Sequence, residues 1–221
     1  VTNLELTAAF ASIANGGLYT KPVFFTKILD HDGKLLIDNE PETHRVLKDS
    51  TAFLLTDAMA GSMETNRKFG SSINSTSARA NIPGMSNAGK SGTTSKNNDI
   101  WFVGYTPYYT AGIWAGCDNN QKLTAQNGGT SFHKNIWRNI MTRVHENLTD
   151  TGFPVPDSIE TAQICRKSGK LAIPGVCSED PRGNAVYTEY FAKGTVPSEM
   201  CNTHVRATVC AETGLLPGDS C

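Results

Sequence analysis

The 221-residue sequence has no excess of charge of either sign and no long hydrophobic run. Its 20 Lys and Arg residues are offset by 21 Asp and Glu residues, so the formal net charge at pH 7 is −1. A nucleic-acid-binding surface would need a basic excess, and we therefore expect no nucleic-acid partner. No apolar run approaches the roughly 18 residues of a membrane span. We therefore expect no membrane span within these residues.

The sequence also lacks the patterns that hold cofactors and metals. It contains no Gly-rich phosphate loop and no Cys-x-x-Cys pair. We expect no cofactor and no metal. The chain has neither an initiator Met nor a signal peptide, and we expect that it is cut from a longer protein. The histidines are scattered, which predicts neither a catalytic nor a metal-binding cluster: His31, His44, His133, His145 and His204.

Cysteine is unevenly distributed along the chain. Five of the six cysteines lie in the last 57 residues, in a segment rich in Gly and Pro. This density is typical of an extracytoplasmic module that is held together by disulfides, which we favour over the alternative of free thiols in a reduced protein. Two segments, 165–177 and 210–221, share the pattern Cys-x-x-[Ser/Thr]-Gly-x-Leu and end in Cys. The spacing leaves two connectivities open, namely a disulfide within each segment or cross-pairing through Cys201.

Zinc binding is the alternative use of these cysteines. It would require Cys201 and His204, which are separated by two residues, together with two further cysteines. Because the sequence has no Cys-x-x-Cys knuckle, we favour disulfides over zinc.

Hydrophobic periodicity predicts three helices, and a helix cap can be assigned for the second. Asp49 or Ser50 is the expected N-cap of that helix. In the third, Ile136, Ile140 and Val144 stack at i, i+4 and i+8. The three predicted helices cover residues 3–15, 50–63 and 132–147.

Strand-like segments and turns complete the predicted fold. Two apolar runs around Asp32-Gly33 predict a hairpin, and three later segments with short turns predict an antiparallel meander. Helices before and after an antiparallel sheet indicate an α+β domain over residues 1–150. From residue 151 the composition changes to a small Cys-rich β tail, residues 151–221. The meander strands are predicted at 86–94, 99–106 and 109–117.

The first meander strand carries the motif Lys90-Ser91-Gly92-Thr93. On a strand, Ser91 and Thr93 share one face, and two hydroxyls on one face can hold a carboxylate. Glycine lets a ligand backbone lie close, and free amides at a strand edge can pair with an extended peptide. The neighbouring ammonium stabilises negative charge on reacting oxygens. These groups suit a short peptide that ends in a carboxylate.

The surrounding sequence, "AGKSGTTSKNNDIWFVGYTPYYTAGIWAGCDNN", resembles the Lys-Thr-Gly strand region of class A, bifunctional, penicillin-binding proteins. "VTNLELTAAFASIANGG" is similar to the segment that follows their Ser-x-Asn motif, and "GGTSFHKNIWRNIM" is similar to their closing helix. The Cys-rich tail resembles their C-terminal extensions. The resemblance implies the C-terminal part of a transpeptidase domain, in the fold shared with serine β-lactamases, together with the extension.

By this resemblance the parent is a peptidoglycan D,D-transpeptidase at the extracytoplasmic face of the bacterial membrane, which it is expected to contact only through an N-terminal anchor upstream of Val1. Its partners are D-Ala-D-Ala stem peptides and β-lactams, and no cofactor is implied. The catalytic residues carried over are Lys90 and Thr93, with the Thr93 N–H as half of an oxyanion hole. The residues expected to bind substrate are Lys90, Ser91, Gly92, Thr93 and Thr94.

The nucleophile of the family, the serine of Ser-x-x-Lys, has no convincing match in this sequence. Ser131-Phe132-His133-Lys134 follows the binding strand, which is the wrong order, and we interpret it as a helix cap and a solvated lysine. The Ser-x-Asn matches at 72–74 and 95–97 are interpreted as incidental. We expect both motifs upstream of Val1, so that this chain alone is inactive.

Two other functions remain open from the sequence. A serine β-lactamase-like hydrolase shares the Lys-[Ser/Thr]-Gly strand, although "WFVGYTP" and the Cys-rich tail argue against it. A non-catalytic cell-wall-binding module centred on residues 151–221 is the third hypothesis.

Overall fold

The computed structural model describes residues 1–64, 75–127, 129–211, 213–214 and 216. Its contacts divide the chain into two units, Val1–Ser158 and Ile159–Cys221. None of the helices in the described residues is both long and apolar enough to cross a membrane.

Three helices form in the first unit where the periodicity predicts them. A reciprocal capping box starts the first helix, because Glu5 N donates to Thr2 Oγ1 at 3.2 Å and Thr2 N donates to Glu5 Oε2 at 2.7 Å. The predicted cap of the second helix is wrong, since Lys48 occupies the N-cap position and Asp49 is already helical. The helices are α1 (Asn3–Ala14), α2 (Asp49–Gly61) and α3 (Phe132–Val144).

In the described residues, nine strands form four antiparallel sheets, of which the sheet β5-β6-β7 is the largest. The predicted hairpin around Asp32-Gly33 is the pair β2-β3, and the predicted meander is β5-β6-β7. The strands are β1 (Leu18–Thr20), β2 (Lys27–Leu29), β3 (Leu35–Asp38), β4 (Thr43–Arg45), β5 (Ala88–Thr93), β6 (Asp99–Tyr105), β7 (Thr110–Gly116), β8 (Ile159–Cys165) and β9 (Val186–Ala192).

Helix α3 covers one face of the central sheet. Its buried stripe consists of His133, Trp137 and Met141, and the Trp137 ring packs edge-on against Phe102 of β6 at 5.2 Å between centroids. The predicted helix is confirmed, yet its Ile136-Ile140-Val144 stripe is 41–49% exposed. Trp137 buries the larger apolar surface, which explains why its stripe faces the sheet.

Helices α1 and α2 cover the opposite face of this sheet. Tyr105 at the end of β6 is completely buried, and its hydroxyl is hydrogen-bonded at 2.8 Å to Oγ1 of Thr56 on α2. Burial raises the pKa of Tyr105 to about 12, so the phenol stays protonated and can keep this bond. The sheet is therefore enclosed between two helical layers, as expected for an α+β domain.

The second unit contains the hairpin β8-β9 and a small core of side chains, among which are Cys165, Cys177 and Cys201. Neither the Cys165–Cys177 disulfide nor cross-pairing through Cys201 is present, because all three residues are free thiols whose sulfurs converge. The prediction of scattered histidines is wrong for His204, whose Nδ1 lies 3.4 Å from two of these sulfurs. The second repeat ends in Cys221, which lies outside the described residues.

The close approach of α3 to the sheet can be tested by adding a methyl group at Gly104. A Cβ at Gly104 would lie 2.8 Å from Trp137 Cζ2 and 3.0 Å from the Ala88 carbonyl oxygen. Gly104→Ala should therefore lower the free energy of unfolding by about 1–3 kcal/mol, as overpacking does. Urea denaturation of the 221-residue chain measures this change.

Gly61→Ala is the matched control, because a Cβ there meets nothing within 4 Å. Within α2 this change should be neutral or stabilising by up to about 1 kcal/mol. Equal effects of the two substitutions would contradict the packing described for Gly104.

Candidate functional site

Strand β5, which carries Lys90-Ser91-Gly92-Thr93, lies at the edge of its sheet. Thr94 N donates to the Asp99 carbonyl at 3.1 Å. Thr94 and Asp99 therefore form a hydrogen-bonded pair that continues the β5-β6 ladder beyond Thr93 and Ile100. Because such pairs alternate along an antiparallel ladder, the amide groups of Lys90 and Gly92 also face β6. The amide groups of Ser91 and Thr93 therefore face away from the sheet.

Among the residues that the structure describes, the outer edge of β5 is covered at its start and open after it. The outward carbonyl of Gly89 accepts hydrogen bonds from Ser62 Oγ at 3.1 Å and from Ser77 Oγ at 3.4 Å. Beyond Gly89 the side chains become more exposed, with Lys90 and Thr93 exposed and Ser91 half-buried. The motif residues thus lie on the accessible part of the edge.

The Lys90 side chain lies along this edge. Its Nζ donates to the Ser91 carbonyl at 2.9 Å, which holds the ammonium beside the outward backbone groups. Gly92 faces Trp101 of β6, because a Cβ at Gly92 would lie 3.4 Å from Trp101 Cβ. Consecutive residues of this edge therefore carry an ammonium, two hydroxyls and outward amides.

Thr94 follows β5 and lies in the turn that joins this strand to β6. Its Oγ1 accepts hydrogen bonds from Asn98 N and Asp99 N, both at 3.0 Å, and so closes the turn between β5 and β6. The Ser95–Asn97 match lies within this turn, where Asn97 has a φ of 57°. The hydroxyl of Thr94 stabilises the turn, and Thr94 stays a predicted substrate-binding residue beside Lys90, Ser91, Gly92 and Thr93.

Two further cations lie near the edge. Lys134 on α3 donates to the Thr76 carbonyl at 2.7 Å, and Arg79 Nη1 donates to Ser131 Oγ at 3.1 Å. Burial lowers the pKa of Lys134, and the positive charges of Arg79 and Lys90 lower it further. These interactions indicate a positive potential beside the outward groups of β5.

Sequence reasoning did not predict that Arg79 and Lys134 lie near Lys90. Arg79 belongs to a short 3-10 turn, Ala78–Ala80, and has no motif around it. Lys134 was interpreted as solvated, whereas it is half-buried with its amine bonded to a backbone carbonyl. Their approach to Lys90 depends on long-range packing, which leaves no local signal in the sequence.

The Ser131–Lys134 match does not form an activated pair. Ser131 is at the N-cap position of α3, but its side chain makes no capping hydrogen bond and accepts from Arg79 instead. The lysine amine is directed to Thr76. The other serine match, at 72–74, lies outside the described residues.

Comparison with known proteins identifies the family. Residues 1–142, more than half of the chain, match the family model described as the penicillin binding protein transpeptidase domain. The chain belongs to the penicillin-binding protein transpeptidase family. Residues 155–206 match a second model, described as the C-terminal domain of penicillin-binding protein 1A. The resemblance to class A penicillin-binding proteins with a C-terminal extension is confirmed.

Curated relatives match nearly the whole chain. Penicillin-binding protein 1A of Clostridium botulinum (strain Langeland) is 35% identical over 213 residues, which are 96% of this chain and 24% of the relative. Penicillin-binding protein 2D of Bacillus subtilis is 31% identical over 201 residues, 91% of this chain and 28% of the relative. The chain thus spans about a quarter of the length of these relatives.

Solved structures match the fold. Penicillin-binding protein 1A from Haemophilus influenzae aligns with 91% of this chain and 33% of its own, with a TM-score of 0.73 and 22% identity. The D,D-transpeptidase domain of a peptidoglycan glycosyltransferase from Eggerthella lenta aligns with 66% of this chain and 32% of its own, with a TM-score of 0.52 and 24% identity. The predicted α+β transpeptidase fold is confirmed.

The register of β5 makes a direct prediction for amide exchange. The amides of Gly92 and Thr94 face β6, so they should exchange with solvent at least about tenfold more slowly than those of Ser91 and Thr93. Hydrogen-deuterium exchange resolved to single residues in the 221-residue chain measures the difference. Equal protection of the four amides would show that the outer edge of β5 is paired.

Proposed function

We propose that this chain supplies the substrate-binding strand of a peptidoglycan D,D-transpeptidase. The observation that carries the proposal is the open edge of β5, with the outward amides of Ser91 and Thr93 between Lys90 and the β5–β6 turn. The substrate is a stem peptide that ends in D-Ala-D-Ala, and a β-lactam takes its place as inhibitor.

The edge matches this substrate group by group. An extended peptide adds to β5 as a further strand and pairs with the outward backbone of Ser91 and Thr93. The hydroxyls of these two residues hold the terminal carboxylate through charge-assisted hydrogen bonds. Lys90, Lys134 and Arg79 add positive potential that attracts the carboxylate.

The reaction is acyl transfer through a serine ester. The serine oxygen attacks the carbonyl of the D-Ala-D-Ala amide while a lysine accepts its proton, and the C–N bond then breaks. The proton leaves with the amine of D-Ala. An amine of a neighbouring stem then attacks the ester and frees the serine. The Thr93 N–H stabilises the oxyanion in both steps, and Lys90 stabilises negative charge around the serine.

The serine and its lysine are assigned to residues upstream of Val1. The chain matches about a quarter of the length of its relatives, which supports the presence of further parts in the complete protein. Ser131 is the competing serine, but its hydroxyl accepts from Arg79, and the Lys134 amine is bonded to Thr76. The complete protein works at the extracytoplasmic face of the membrane, held there by an upstream anchor.

A transpeptidase is favoured over the two other functions. The matched relatives described above carry the name penicillin-binding protein, and the matched model is a transpeptidase domain. A β-lactamase would hydrolyse the ester with water instead of transferring the acyl group to an amine. The separate match at 155–206 assigns the tail to the same class of protein, so a stand-alone wall-binding module is disfavoured.

Removing the hydroxyls of the edge tests the proposal. In the complete protein, Ser91→Ala and Thr93→Val should each slow acylation by a fluorescent penicillin roughly tenfold to a hundredfold, since a hydrogen bond to a charged group contributes about 1.5–3 kcal/mol. Thr43→Val, a hydroxyl loss on the exposed strand β4, should leave the rate unchanged. Unchanged acylation in both edge variants would overturn the assignment of β5.

The 221-residue chain by itself should not become acylated. Intact mass after incubation with benzylpenicillin measures this directly. A stoichiometric adduct on the chain would contradict the upstream serine, and loss of that adduct in Ser131→Ala would identify Ser131 as the nucleophile.

A further inference from the structure

The core of the second unit contains a group of sulfur and nitrogen ligands that the transpeptidase function does not use. The Sγ atoms of Cys165, Cys177 and Cys201 and a ring nitrogen of His204 all lie within 4.8 Å of one another. The three cysteines are buried, with exposures of 0%, 0% and 5%, and the His204 side chain is 12% exposed. We propose that these four side chains bind one structural Zn²⁺ ion.

The distances fit a tetrahedral ion. With Zn–S near 2.3 Å and Zn–N near 2.0 Å, tetrahedral coordination separates neighbouring ligand atoms by about 3.6–3.8 Å. The Nδ1 atom of His204 lies 3.4 Å from Cys165 Sγ and 3.4 Å from Cys201 Sγ. Small movements of the side chains therefore suffice to place an ion between the four atoms. Cys₃His is an established donor set of structural zinc.

A buried carboxylate orients the histidine as in zinc sites. His204 Nε2 lies 2.9 Å from Asp180 Oδ2, and the Asp180 side chain is 1% exposed. Donation from Nε2–H to this carboxylate leaves the Nδ1 lone pair directed at the sulfurs, which is the tautomer that a metal requires. Arg182 fixes the carboxylate from the other side through Nε and Nη2, both at 3.0 Å.

Backbone amides point at two of the sulfurs. Ile173 N donates to Cys177 Sγ at 3.2 Å, and Thr203 N donates to Cys201 Sγ at 3.4 Å. Such N–H groups stabilise thiolates, which are the form of cysteine that binds zinc.

The position of the ligands in the chain explains what the ion would do. Cys165 ends β8, Cys177 begins a short 3-10 turn, and Cys201 and His204 lie in the segment after β9. The apolar residues packed around the cysteines are few and small: Ala172, Ile173, Ala185 and Val186. A core of this size stabilises a fold weakly. A metal ion that joins three separate segments of the chain would add to the stability of the folded unit.

Metal content of the purified 221-residue chain tests the site. Prepared under reducing conditions with added Zn²⁺, the chain should retain one zinc ion after desalting, and Co²⁺ in its place should give the intense visible bands of tetrahedral thiolate coordination. Cys177→Ser should abolish stoichiometric retention, whereas Cys117→Ser, which changes a cysteine of the first unit, should keep it. Retention of no ion by the unaltered chain, or a disulfide among the three cysteines in its mass map, would overturn the proposal.

Asp180→Asn provides a variant that keeps all four ligands. Loss of an orienting carboxylate typically weakens zinc affinity by about 10–100-fold, and this loss should appear in competition with a chromophoric chelator. Glu199→Gln is the control in the same unit, because Glu199 pairs with Lys170 at the surface at 2.6 Å and should not affect the affinity. Equal zinc affinities for the two variants would contradict the role of Asp180, and thereby the use of His204 Nδ1 as a ligand.

Discussion

The antiparallel pairing of β5 with β6 is the constraint on which the site depends. Gly89 lies opposite Gly104, and a Cβ at either position would collide with Phe102 or Trp137. The two glycines therefore let the aromatic layer approach the sheet, which holds this register. A shift by one residue would turn the outward amides of Ser91 and Thr93 toward β6 and reverse the faces of the strand.

The two units have different kinds of core. The first encloses a sheet between helices and buries large side chains such as Trp137, Phe102 and Tyr105. The second has a pair of antiparallel strands and a core cluster that contains Cys165, Cys177 and Cys201. If zinc binds there, the three thiols stay reduced as metal ligands, and the unit is held together without disulfides among them.

Local patterns explain which predictions succeeded. Helical spacing located α1, α2 and α3, and turn residues located the hairpin and the meander, because these signals act between near neighbours. The buried face of α3 was less predictable: both the Ile136 stripe and the Trp137 stripe have the required spacing, and only contact with Phe102 distinguishes them. The turn-closing hydrogen bonds of Thr94 were not predicted, because a hydroxyl beside a binding motif and one that closes a turn look the same in sequence.

The sequence by itself determined the order of the elements, the Lys-Ser-Gly-Thr strand and the family, since these depend on adjacent residues. Tertiary structure alone decided that Arg79 and Lys134 lie near Lys90, and that three cysteines meet His204, whose Nε2 contacts Asp180. Arg79 and Lys134, for example, are 55 positions apart in the sequence. Contacts over such separations arise when sheets and loops pack, and no spacing along the chain encodes them.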